Sequence, residues 1–119
     1  MQLPVQITFR HMASSDAIEA AIRERAGKLE KIHPRIISCR VVIENIAAHK
    51  HQGKLYSLHI DLKVPGHEIA ITRDRDEDVY VALRDAFDAA KRKLDDEVHL
   101  RRADVKAHTL EGHKPSAPT

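Results

Sequence analysis

From residue 76 to residue 98 the apolar side chains recur at Val79, Leu83, Phe87, Ala90, Leu94 and Val98, in steps of three and four. That spacing places one apolar stripe along one face of a helix, and a helix so striped docks on a sheet. Its opposite face carries Arg84, Lys91 and Arg92, with Lys93 at the edge. Upstream the period changes to two. Residues 3–10 alternate, with Val5, Ile7 and Phe9 on one side and Gln6, Thr8 and Arg10 on the other, which predicts a half-buried strand. Residues 36–46 alternate again, with Ile37, Cys39, Val41 and Ile43 inward. Residues 55–64 alternate most regularly, turning Tyr56, Leu58, Ile60, Leu62 and Val64 to the core. After a Pro65-Gly66 turn signal, a short strand over 67–73 points Ile69 and Ile71 inward.

Between the first two strands Ile18, Ala21, Ile22, Ala26, Leu29 and Ile32 follow a helical period. Ser14, Ser15 and Asp16 offer capping oxygens, and Asp16 with Glu19 fits a capping box. Gly27 costs this helix up to about 1 kcal/mol relative to Ala, which close packing against the sheet would explain. Pro34 ends the helix near Ile32. Asp74 or Asp76 is expected to cap the final helix, and Asp76, Glu77 and Asp78 suit its positive dipole end.

The resulting order, β-α-β-β-β-α, defines an α+β two-layer sandwich. A right-handed crossover makes the first two strands parallel, and the rest form an antiparallel meander. This gives a four-stranded mixed sheet with two helices packed on one face and a polar, exposed face opposite. The 119 residues suit one domain, expected over 1–102. Residues 103–119 show no periodicity and hold Pro115 and Pro118, so they are read as a flexible C-terminal tail.

Charge adds a partner class. The net charge is only +2, unevenly spread: residues 1–75 hold 12 Lys/Arg against 8 Asp/Glu, and residues 76–98 hold 4 against 8. The last long helix is acidic overall, so its cations bind an anionic partner only where they gather on one side. The single cysteine, Cys39, excludes an internal disulfide framework and fits a reducing compartment. No apolar run approaches the roughly 20 residues that span a bilayer, so a cytoplasmic protein without membrane contact is expected.

Catalytic signals are missing. Cys39 falls at an inward mid-strand position, where a small core residue is expected rather than a nucleophile. Ser14 and Ser15 are read as caps. The four glycines are ungrouped, which removes phosphate loops. His49 and His51, with His59 and His67 further on, raise a metal-binding reading, but no carboxylate pair completes a ligand set. No metal, cofactor or small-molecule substrate is therefore expected. Of the four aromatics, Phe9, Tyr56 and Phe87 are assigned to the core and Tyr80 to a structural place near the sheet edge. That leaves no base-stacking platform, so any RNA contact falls to phosphates and shape.

The candidate phosphate contacts are Arg84, Lys91, Arg92 and Lys93 on the final helix, and Arg101 and Arg102 beyond it. Lys50 and Lys54 in the histidine-rich loop, and Arg23 and Lys28 on the first helix, complete the set. Glu19, Glu24 and Glu30 interleave with the first-helix cations, and Asp85, Asp88 and Asp95 with the last. A salt-laced solvated face competes with a binding face at both places.

The element order, the Val64-Pro65-Gly66 turn and the run Asp78-Val79-Tyr80-Val81-Ala82-Leu83 at the head of the last helix resemble the ribosome hibernation-promoting factor family. That family is also known as ribosome-associated translation inhibitors or sigma-54 modulation proteins. Asp88, Arg92 and Leu94 fall where its final helix carries similar residues, and the resemblance covers about residues 3–100. It implies a non-enzymatic protein that binds the small ribosomal subunit in the channel used by messenger and transfer RNA. It further implies inhibition of translation under stress or in stationary phase, by a short member, monomeric when free, that lacks a ribosome-pairing domain. The chain departs from the family at Arg84, where an acid is common, at Ala89, where a lysine is, and at Lys93, where a glutamine is. The runner-up expectation is a protein-binding transcription regulator using the exposed sheet face at Arg40, His59 and Lys63.

Overall fold

The computed structural model describes residues 3–47 and 55–111, with side chains placed for 3–47, 55–73 and 77–100. Six elements follow in order: β1 (Gln6–Arg10), α1 (Asp16–Ile32), β2 (Ser38–Asn45), β3 (Tyr56–Val64), β4 (His67–Asp76) and α2 (Val79–Glu111). The sheet order is β1-β2-β3-β4. β1 lies parallel to β2 through the α1 crossover, and β2, β3 and β4 pair antiparallel. α2 packs on β3 and β4, with α1 beside it. The fold is the expected α+β sandwich with both helices on one sheet face.

The core lies between these layers. Ile22 of α1, Val41 and Ile43 of β2, Leu58 and Ile60 of β3, and Leu83, Ala86 and Ala90 of α2 are fully buried. Each large aliphatic side chain so buried contributes about 1.5–3 kcal/mol. Cys39 is buried among them, while Phe9 and Ile7 of the edge strand β1 are partly buried. Just before β2 the alternation slips: Ile36 is 1 % exposed, whereas Ile37, expected inward, is only half-buried. Ile37 precedes the strand and uses its backbone instead, donating N–H to Lys63 and accepting from Leu3.

The cap of α1 is one of the three expected candidates, whereas that of α2 lies beyond the expected pair. Ser15, not Asp16, caps α1: its hydroxyl accepts from the Ile18 N–H at 3.2 Å. Asp16 is thus the first helical residue, and the Asp16–Glu19 box does not form. Asp78, rather than Asp74 or Asp76, caps α2, its Oδ1 accepting from the N–H groups of Tyr80 at 2.9 Å and Val81 at 3.4 Å. The reason is that β4 runs on to Asp76. Leu58 pairs with Arg73 and Tyr56 with Asp76, so β4 carries one extra residue there, a bulge that breaks the period of two.

Three further expectations change. An added Cβ at Gly27 meets nothing within 4 Å, so close packing does not explain that glycine. Tyr80 is 49 % exposed instead of packed at the sheet edge, which leaves one aromatic ring open to solvent. α2 continues to Glu111, past the boundary set at Arg102. Residues 103–111 contain good helix formers and no Gly or Pro, and backbone hydrogen bonding can propagate a helix without an apolar stripe. The remainder of the expected tail, 112–119, lies outside the described residues.

The connections are locally determined. Pro65 and Gly66 close the β3–β4 hairpin, Gly66 taking a φ of 77° that suits the third position of a type II turn. The Asn45 side chain accepts from Ala47 N–H at 3.1 Å and Leu55 N–H at 3.3 Å. It thereby ties together both ends of the β2–β3 loop, whose interior, 48–54, lies outside the described residues. The C-terminal half of α2 is pinned by His33 to Asp95 at 2.8 Å and His67 to Glu97 at 3.2 Å.

Candidate functional site

Helical geometry separates the Lys91-Arg92-Lys93 run. Successive residues of an α-helix turn by about 100°, so the three cations span some 200° of α2. Lys91 Nζ lies 2.8 Å from Asp95 Oδ2, on the side that also receives His33 from α1. Lys93 and Arg92 turn the other way and line a shallow cleft beside β4. Both are exposed, and neither makes an ion pair among the described residues. Arg84 is exposed too, its Nε donating to Asp85 Oδ1 at 3.3 Å.

The first-helix cations fall elsewhere. Arg23 Nη2 stands 3.6 Å from Glu19 Oε1, and Nη1 donates to the Val5 carbonyl at 3.5 Å. It therefore sits on the β1 side, three strand spacings from β4, or roughly 14 Å. Lys28 is exposed and unpaired among the described residues. Lys50 and Lys54, with His49 and His51, lie outside the described residues, and Arg101 and Arg102 belong to α2 without described side chains. Among the described residues, Arg23 thus lies on the β1 flank of the helical layer and Arg92 and Lys93 on the β4 flank, rather than in one patch.

Arg73 was not among the nominated residues. It shares strand parity with Ile69 and Ile71, so it stands on the helix-covered side of β4 and lines the same cleft as Arg92 and Lys93. A cation continuing an inward-facing alternation was the available signal. Together these three residues bring guanidinium and ammonium groups from two elements to one flank, where phosphate oxygens are suitable partners.

The opposite sheet face is charge-matched. Arg10 is registered against Glu44, Arg40 against Asp61, and Lys63 against Glu68. His59 bridges two strands, its Nε2 2.9 Å from Asp61 Oδ1 and its Nδ1 2.9 Å from Thr72 Oγ1. Opposite charges set on neighbouring strands in this way lower the net field that the face presents to a polyanion.

The single thiol is not disposed for chemistry. Burial, with the nearby Asp61 charge adding to it, pushes the Cys39 thiol up to about 12, so the nucleophilic thiolate is suppressed. Among the described residues no group of three His, Cys, Asp or Glu is placed to hold a metal ion, and no helix is long and apolar enough to cross a membrane.

The chain is thus a two-layer α+β domain with a basic flank between α2 and β4. The chain belongs to the family described as sigma 54 modulation protein / S30EA ribosomal protein, whose model matches residues 5–102. Its fold is similar to that of a ribosomal subunit interface protein from Coxiella burnetii, with a TM-score of 0.69 and 13 % identity over 80 % of this chain and 97 % of that one. It is also similar to the N-terminal domain of Thermus thermophilus Protein Y, with a TM-score of 0.63 and 18 % identity over 78 % and 94 %. At such identities the likeness carries the fold alone. No curated protein matches the chain.

Proposed function

We propose that this chain is a ribosome-binding inhibitor of translation that occupies the messenger and transfer RNA channel of the small subunit under stress or in stationary phase. It acts in the cytoplasm, as a monomer when free, and catalyses no reaction. The family's description as an S30EA ribosomal protein supports the partner. The observation that carries the reading is the pair Arg92 and Lys93, exposed and without ion-pair partners among the described residues. They sit on a helix whose Leu83, Ala86 and Ala90 are locked into the core. Cations on a rigid element release counterions from RNA without the cost of ordering the backbone that carries them. Lys28, Lys50, Lys54, Arg101 and Arg102 extend the contact in this reading, and Arg23, Arg84 and Lys91 join it by exchanging their carboxylates for phosphates.

Sucrose-gradient sedimentation with purified ribosomes tests it. Co-migration with small subunits or whole ribosomes at low salt, lost at high salt, is expected. Protein left at the top of the gradient in low salt would overturn the reading. The charge-matched sheet face at Arg40, His59 and Lys63 favours a second reading, because such a surface suits a protein better than RNA. On this reading the chain is a transcription regulator, as the other half of the family description has it. Ribonuclease-insensitive co-purification with a transcription complex is its test.

A further inference from the structure

The cleft between α2 and β4 holds about 350 Å³, at the small end of ligand sites, which run from roughly 300 to 1,000 Å³. Arg73 enters it from the sheet, and Arg92 and Lys93 from the helix. β4 is an edge strand, so alternate backbone N–H groups along its open side have no strand partner and are donors for an anion. Ala89 on the helix leaves the floor low. Asp96 stands at the cleft as well, yet it pairs with none of the three cations in the structure. Like charges held on two elements repel at close range, and a single carboxylate leaves two of the three uncompensated. An anion bearing two charges on oxygens spread over several ångströms balances them, and the planar guanidinium forks of Arg73 and Arg92 match phosphate oxygens pairwise.

We propose that the α2–β4 cleft is a seat for two linked phosphate groups, with Arg73, Arg92 and Lys93 as donors and Asp96 as a counter-charge that limits its affinity. The two groups are either adjacent phosphodiesters of an RNA strand or the diphosphate of a free nucleotide. The RNA source rests on the ribosome-binding reading; the seat itself rests on the cleft.

The test follows backbone amide resonances of the full chain at low salt during titration with inorganic pyrophosphate, with ADP and with a hexauridylate strand. Shifts centred on residues 70–73 and 92–93 are expected. Arg73→Ala weakens the binding several-fold. Asp96→Asn tightens it by about two- to fivefold, the range of a surface charge contact, and a merely structural role for Asp96 produces no gain. Both residues lie outside the core, and the dispersed spectrum of each variant reports its folding in the same experiment. Binding of hexauridylate identifies the strand source; binding of pyrophosphate and ADP without hexauridylate identifies the nucleotide source. Shifts confined to other regions, or unchanged affinity in both variants, overturn the proposal. Ribosome sedimentation of the same samples is read separately: failure there removes the ribosomal reading while the pyrophosphate titration still judges the cleft.

Discussion

His33 Nε2 and Asp95 Oδ1 meet at 2.8 Å across the seam between α1 and α2, and Lys91 Nζ reaches the other oxygen of the same carboxylate at 2.8 Å. The Lys91 hydrogen bond lowers the Asp95 pKa most; desolvation opposes it, and the bond to His33 adds to the lowering. A carboxyl depressed in the folded state stabilises the protein above its unfolded pKa, near 3.9, and loses that contribution as pH falls through the lower folded value. Asp95→Asn is therefore expected to lower urea stability modestly from neutral pH down to about pH 4, with the gap to the parent closing below. Parallel urea midpoints across pH 2–7 measure this. A gap that stays constant into acid would refute it.

Gly27 sits mid-helix with open space where a Cβ would go. Gly27→Ala should raise stability by roughly 0.5–1 kcal/mol, from helix propensity and the reduced freedom of the unfolded chain. A urea melt checks it, and a loss of stability would mean that the space is needed by a neighbour.

Ser15→Ala and Asp78→Ala each remove the acceptor for helix N–H groups. Each is expected to cost about 1 kcal/mol. Asp78 serves two N–H groups, so Asp78→Asn should retain most of the stability that alanine loses. Equal losses in the asparagine and alanine variants would show that charge at the helix start, rather than the cap, carries the effect.

Cys39 is expected to resist thiol reagents in the folded protein at pH 8 and to react fully once urea unfolds it. Its folded pKa is raised to about 12, so its contribution is intact below the unfolded value and is lost as pH rises from about 9 to about 12. Cys39→Ala should remove that part of the alkaline loss. Rapid labelling of the native protein would place the thiol outside the core.

On the ribosomal reading, Arg92→Ala with Lys93→Ala flattens the log–log salt dependence of binding by roughly 1.4–1.8, at about 0.7–0.9 per lost phosphate contact. Lys91→Ala changes it less, because Lys91 already has a carboxylate to leave. Equal slopes for the double variant and the parent would remove that pair from the interface.

The periods of two and of three-to-four located every element, because alternation and helical stripes record which face meets the core. They placed Leu58, Ile60, Leu83 and Ala90 correctly, and all four are fully buried. They failed where another force sets the backbone. The bulge before Asp76 interrupts the alternation of β4, which moves the cap of α2 to Asp78. Residues 103–111 lack an apolar stripe, so no local pattern marks them as helix, although α2 includes them.

The candidate site was legible only as a set of cations. Lys91, Arg92 and Lys93 are neighbours in the chain, yet the 100° turn per residue gives Lys91 to Asp95 and the other two to the β4 flank. Arg73, 19 residues upstream of Arg92, joins that flank through the strand order.

The sequence by itself determined the sandwich, since apolar burial is written locally in the spacing of side chains and dominates the free energy of folding. Only the tertiary structure decided which charges remain available. Whether Lys91 meets Asp95, Arg40 faces Asp61, or Arg73 stands beside Arg92 depends on the register of strands and the docking of helices, which bring together residues that no local pattern links.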